Sequence, residues 1–418
     1  MGRGVFWTLI FAFVTSGALV QAADWPQWRG PHRNGISAET GLLHEWPTAG
    51  PKLVWQVKDV GDGFSTPSVV GDSLYLLSNK GTEEESVQAR AVADGKRLWS
   101  TPIGKVGPNK GPQYPGARST PTVDGERLYV LGSAGDLACL DIKSGNIAWQ
   151  KNLIKDFGGE PGMWAYAESP LIDGDKLICT PGGKESTVVA LDKSNGNVIW
   201  KSGLESADQA AYASPIEITV GGVKQYVLFL QKGLVGLDTK TGKLLWRYDK
   251  TAQGSMANIP TPVAFEGFVY SAAGRTGGGL VQLTAKQGDF KAEQVYFSPK
   301  LPTSIGGAVH VGDYLYGTSS GGLLCVDFKT GDVKWQERGV GAASICFADG
   351  DLYLHGEKGE VALVEASPEA YHEKGRFTPP DSPDRGKAQA WTYPVVANGR
   401  LYIRDLGVLW SFDIKAKK

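Results

Sequence analysis

The chain has 418 residues, with 43 Lys and Arg against 44 Asp and Glu, 56 Gly, 13 Trp and only four Cys. Balanced charge removes the electrostatic case for nucleic-acid binding, and four Cys in so long a chain argue against a disulfide framework. Length alone allows two or three domains, but an uninterrupted internal repeat argues for one.

Residues 1–22 read as a secretory signal. Arg3 supplies the positive end, residues 5–14 an apolar stretch broken only by Thr8, and Val20-Gln21-Ala22 a small-residue cleavage pattern. That stretch is too short to span a bilayer with confidence, and no later segment is a candidate. No Cys precedes Cys139, so the site lacks a lipid-acceptor thiol. The expectation is a soluble protein, periplasmic or secreted, cleaved near Ala22 and not a lipoprotein. Residues 23–52, opening Asp24-Trp25-Pro26-Gln27-Trp28-Arg29, lie outside the repeat and are expected to strap across it.

From residue 53 to 418 two phrases alternate. The first is Ser-Thr-Pro, an apolar alternation, a Gly turn, then Leu-Tyr. It runs from Ser65-Thr66-Pro67 to Leu74-Tyr75 and from Ser119-Thr120-Pro121 to Leu128-Tyr129. Ser169-Pro170, Ser214-Pro215, Thr261-Pro262 and Thr392-Tyr393-Pro394 open later copies. The second phrase is clearest in Ala190-Leu191-Asp192-Lys193-Ser194-Asn195-Gly196-Asn197-Val198-Ile199-Trp200. Its relatives end at Trp99, Trp149, Trp246 and Trp335, each four residues after a Gly, with Trp-to-Trp steps of 50, 51, 46 and 89. Apolar alternation joined by Gly71-Asp72, Asp124-Gly125, Asp173-Gly174 or Asn398-Gly399 predicts hairpins, because those residues accept positive φ. Two hairpins per period of about 45 residues predict a β-propeller blade.

The fold class is therefore all-β, a single eight-bladed propeller of four-stranded antiparallel blades, opening near residues 65, 119, 168, 213, 259, 305, 342 and 390. The eighth blade runs out of chain before its outer strand. Leu53-Val54-Trp55-Gln56-Val57 is predicted to supply it, pairing antiparallel with residues 408–414 and closing the ring against edge exposure. Glu83-Glu84-Glu85 reads as a solvated hairpin tip, 361–369 as a strand running into a short helical start, and Gly274–Gly279 as a hairpin loop. The five His have no ligand spacing and are expected at the surface or at strand ends. Cys139 and Cys325, ten residues before a Trp, are expected as buried small residues beneath it.

The phrase A-x-D-x-x-T-G-x-x-x-W resembles the tryptophan-docking motif of the pyrroloquinoline-quinone (PQQ) propeller family, over about residues 53–414. The resemblance implies that Trp55, Trp99, Trp149, Trp200, Trp246 and Trp335 fasten neighbouring blades. Blade one departs with Ala91 for the Asp and blade four with Gly236 for the Ala; blade five lacks the phrase, with Tyr296 in place of the Trp. Two classes share this resemblance: PQQ- and calcium-dependent quinoprotein dehydrogenases, and non-catalytic BamB-like propellers that help assemble outer-membrane β-barrels. The dehydrogenases are longer and usually carry adjacent Cys under the quinone, and this chain has no adjacent Cys. Glu168 and Asn258 stand where that class holds calcium, but Pro302-Thr303-Ser304-Ile305 supplies no catalytic Asp. No cofactor or metal is expected.

The resulting expectation is a monomeric, non-enzymatic interaction scaffold of the cell envelope, with a protein or peptide partner. The alternatives are a quinoprotein dehydrogenase or an enzyme acting on an envelope sugar or peptide. Long inter-blade segments at 106–118 and 154–166 share one face, and loops on a rigid scaffold are where binding concentrates. The predicted binding face comprises Tyr114, Arg118, Trp164, Tyr166, Glu168, Tyr212, Asn258, Trp391 and Arg404.

Overall fold

The computed structural model describes residues 23–107, 114, 116–206 and 208–417. The predicted signal segment and Pro108, Pro112 and Pro115 of the 106–118 loop lie outside the described residues. Eight four-stranded antiparallel sheets form the ring, an eight-bladed β-propeller. First strands begin at Ser68, Thr122, Leu171, Ile216, Val263, Ala308, Ala343 and Val395. Each blade is a meander of consecutive strands except the last, where Lys52–Val57 pairs antiparallel with Val408–Asp413, Lys52 opposite Asp413 and Val57 opposite Leu409. Among the described residues, no helix is long and apolar enough to cross a membrane.

The opening hydroxyls tie blade to blade. Thr120 N–H donates to Ser169 Oγ at 2.9 Å, Ser169 N–H to Ser214 Oγ at 2.9 Å, and Tyr393 N–H to Thr66 Oγ1 at 3.0 Å. Each bond lets an inner strand satisfy a buried backbone donor on its neighbour.

Toward the rim, indoles meet glycines of the following blade. A Cβ on Gly95 would lie 2.8 Å from Trp55, one on Gly145 2.6 Å from Trp99, and one on Gly196 3.0 Å from Trp149. Gly242 approaches Trp200 in the same way, and Gly331 meets the Tyr296 ring. These indoles also donate to the next blade: Trp55 to Val92 O at 2.8 Å, Trp149 to Lys193 O at 3.0 Å and Trp335 to Ser367 O at 2.9 Å. Trp246 is different: the Gly288 turn of blade five does not reach it, and its Nε1 donates to Gln225 in its own blade at 2.7 Å. Opposite the Trp residues across the sheet stand Ala89, Cys139, Ala190, Gly236 and Cys325. All four Cys are free and buried.

Residues 25–37 cross the ring and touch every blade. Trp25 bridges to Val69 and Ile36 to Phe347. Pro26 O accepts from Val123 N–H at 2.8 Å. Trp28 Nε1 donates to Thr261 Oγ1 at 2.8 Å, Arg29 to Ala308 O at 2.5 Å and Ser37 Oγ to Val396 O at 2.8 Å. Arg33 is buried and donates to Ser169 O, Pro170 O and Pro215 O at 2.8, 3.1 and 2.7 Å.

Four local expectations change. Glu83 and Glu84 are exposed, but Glu85 is fully buried and accepts Ser133 N–H and O–H from blade two, the latter at 2.5 Å. From Glu85 to Arg90 the strand is buried continuously, so this carboxylate meets blade two rather than solvent. Residues 367–369 are not helical, and blade seven has an ordinary outer strand at Glu373–Phe377. His355 lies in the core, with Nδ1 2.9 Å from Thr392 O. A short helix, Leu153–Phe157, opens the 154–166 segment; the Asn152 side chain caps its first N–H groups and Gly158, at φ 64°, ends it.

Candidate functional site: an aromatic cavity on the axis

A cavity of about 270 Å³ opens on the face of the inter-blade loops. Its walls come from the segments preceding seven of the eight blades, a placement only the ring axis satisfies: Phe64 and Thr66, Tyr114 and Arg118, Trp164 and Ala167, Tyr212, Ala257 and Ile259, Ile305, and Trp391 and Tyr393. Trp28 closes the bottom from the crossing N-terminal segment.

Of the nine residues predicted for this face, Tyr114, Arg118, Trp164, Tyr212 and Trp391 line the cavity. The Trp164 and Tyr212 rings are 5.9 Å apart and the Trp164 N–H donates to Tyr212 Oη at 3.0 Å. Tyr114 meets Trp391 edge-on at 4.9 Å, and Phe64 lies 5.2 Å from the same indole. The Tyr114–Trp391 contact is T-shaped, a favoured aromatic geometry, and the other two are tilted.

The other four are buried elsewhere. Tyr166 donates its hydroxyl to Pro181 O at 2.8 Å. Glu168 turns outward from the axis to accept Thr180 N–H at 2.5 Å. Asn258 gives its amide N–H groups to Leu230 O and Gln231 O at 2.6 and 3.0 Å. Arg404 is sealed between blades eight and one, donating to Ser65 O at 2.8 Å, Leu77 O at 2.7 Å and Asp62 O at 3.0 Å. Each satisfies backbone groups of its own or a neighbouring blade, most of them in loops between the second and third strands.

Trp28, Phe64 and Tyr393 were missed. Phe64 had a usable signal: it stands immediately before Ser65-Thr66-Pro67, as Arg118 stands before Ser119-Thr120-Pro121. Trp28 had none, since only the path of the N-terminal segment brings it to the axis.

The site is cationic in character. Arg118 lies 5.9 Å over the Phe64 ring and donates to Tyr114 O and to Gly116 O, the latter at 3.0 Å. Burial lowers its pKa to about 10, against the pull of Glu85, so it stays charged at neutral pH. Burial raises Glu85 and Glu168 to about 7 each, weakening the nearby negative charge. Arg33 is lowered to about 9 by burial and also stays charged.

The two residues assigned by resemblance to a calcium–quinone pair do not fit one. Glu168 and Asn258 are engaged with backbone groups and neither lines the cavity. Among the described residues, no group of three His, Cys, Asp or Glu is arranged to hold a metal. A hard cation needs about six or more oxygens, which this pair does not supply.

The family profile described as outer membrane protein assembly factor BamB matches residues 33–159 and 83–337. The BamB of Burkholderia pseudomallei is 24% identical over 257 residues, covering 59% of this chain; the match spans only 60% of that relative's length. A polyvinylalcohol dehydrogenase of Sphingopyxis is 27% identical over 245 residues, 53% of this chain and 34% of that protein. The crystal structure of BamB from Moraxella catarrhalis superposes with a TM-score of 0.61 at 17% identity, over 88% of this chain and 99% of that one, a likeness of fold. With its PQQ-type repeats, its eight blades and a family match over well more than half its length, the chain belongs to the BamB family of propellers.

Proposed function

We propose that the protein is a non-enzymatic interaction propeller of the cell envelope, exported and cleaved near Ala22, monomeric, and binding a protein or peptide partner on the inter-blade face. The carrying observation is convergence: loops from seven blades meet at a single cavity, five of them bringing aromatic rings and one of these also a guanidinium. Aromatic residues and Arg dominate interface energetics when centrally placed and desolvated. The BamB relatives support the same reading, being named as outer membrane protein assembly factors. The dehydrogenase relative supports the alternative, but the residues that would serve a quinone and calcium are engaged elsewhere.

The test uses the exported chain as bait in an envelope extract, with mass spectrometry of what it retains. An outer-membrane assembly component, lost on changing Arg118 and Trp164 to Ala while the melting temperature stays near the parent's, is the expected result. Dye reduction with an alcohol after incubation with PQQ and calcium, abolished by Glu168→Gln, would overturn it.

A further inference from the structure

The cavity does not end at the axis. Trp164, Ile259 and Ile305 also line a second hollow of about 210 Å³, and Gly274, Arg275 and Thr303 are shared between that hollow and a third of about 700 Å³. Together they form a groove leading outward past blades five and six toward Gln336 and Glu357. We propose that this groove holds an extended acidic peptide segment, anchored by one aromatic side chain in the axial cavity. The proposal rests on the protein-binding reading above and names the chemistry of its partner.

Three observations lead to an aromatic anchor. At about 270 Å³ the inner cavity is just below the roughly 300–1,000 Å³ of small-molecule sites, suiting one large side chain. Its walls are rings in edge and tilted contact, which extend naturally to one more ring. Three polar atoms at the wall already have partners: Tyr393 Oη donates to Ile305 O at 2.9 Å, Tyr212 Oη accepts the Trp164 N–H, and Trp391 Nε1 donates to Glu357 at 3.2 Å. A sugar ring needs several open donors and acceptors in its plane, so these walls favour an apolar insert.

Charge then selects the rest of the segment. Arg118 stands at the inner end, and Arg275 and Lys300 are exposed along the groove. The opposing carboxylate is Glu357, half-buried and tied to Trp391. Three cations against one engaged carboxyl complement an acidic chain and would steer its approach.

Two positive-φ residues lie beside the groove. Ala165, just after Trp164, has φ 67°, and Arg275 has φ 71°. Left-handed geometry is unusual for a non-Gly residue. These two flank the groove, one setting the indole at the cavity and the other the guanidinium at the mouth.

The experiment measures fluorescence anisotropy of three labelled peptides with the full chain. One carries a single Trp followed by alternating Glu and Ser, the second replaces Glu with Lys, and the third replaces Trp with Ala. The acidic Trp peptide should bind at least about tenfold more tightly than either control. The exposed pair Arg275→Glu and Lys300→Glu should remove the preference for acid while the melting curve stays unchanged. Equal affinity for the Glu and Lys peptides, or no effect of the charge reversal, overturns the proposal; so does binding of maltohexaose with none of the peptides. Envelope-partner capture that survives the reversal removes this inference and leaves the protein-binding reading standing. Absence of capture by the parent chain removes that reading, while the peptide affinities still decide the groove.

Discussion

Replacing Gly145 with Ala tests whether the rim contacts hold blades together. Gly145 sits at φ 73°, and an added Cβ would come 2.6 Å from Trp99 Cε3 and 2.7 Å from Cδ2, inside the indole's own carbon shell. The left-handed backbone alone costs an Ala about 1–2 kcal/mol. Displacing a rigid ring adds an overpacking penalty of about 1–3 kcal/mol. The Trp99 Nε1 bond to Ile142 O, at 3.2 Å, weakens as the ring shifts, so the total falls at about 2–5 kcal/mol. Gly125→Ala is the matched control: its φ is 58° and nothing lies within 4 Å of the new Cβ, so only the backbone part applies. Urea unfolding followed by far-ultraviolet circular dichroism should give a clearly lower midpoint for Gly145→Ala than for Gly125→Ala. Trp99→Leu in the Gly145→Ala background should recover part of the difference, since a smaller side chain makes room. Equal midpoints for the two Ala variants would refute the idea that indole-on-glycine contacts fasten the ring.

Deleting residues 23–58 removes the strand paired with Val408–Asp413 and the buried Trp55, exposing an edge; stability should fall by several kcal/mol with concentration-dependent aggregation on heating, and a truncated chain melting like the parent would refute strand closure. Glu85 and Glu168 are raised from 4.5 to about 7 by burial, so their neutral forms favour the folded state. Stability from each is full below pH 4.5 and lost as pH rises through about 7, by on the order of 3 kcal/mol per group. Glu85→Gln should flatten that decline in denaturant midpoints measured from pH 4.5 to 8, and a parent chain whose midpoint rises across this range would contradict the assignment.

Blade count, blade starts and closure were all legible in the chain, because a propeller repeats one local solution. Period-two apolar strands, Gly turns at positive φ and a Trp at fixed offset are short-range features, and each copy reinforces the others. Pairing of residues 52–57 with 408–413 is the longest-range strand pairing among the described residues, yet it followed from counting strands. The same logic reached Tyr114, Arg118, Trp164, Tyr212 and Trp391, since residues just before a first strand must face the axis or its rim. What the chain could not decide was which polar residue beside them turns away. Glu168 and Arg118 occupy the same offset before a Ser, but the loop after the second strand of its own blade offers Thr180 N–H to the carboxylate, and Arg118 finds its acceptors in its own loop. Glu85 looked like surface because it follows two other Glu, and only Ser133 of the next blade makes burial tolerable. Trp28 reached the cavity floor through a segment with no repeat at all, whose path is set by Arg29 and Arg33 finding carbonyls around the ring. Local periodicity determines the blades; the axial site depends on which buried polar groups find partners outside their own strand, and that is settled only by the tertiary fold.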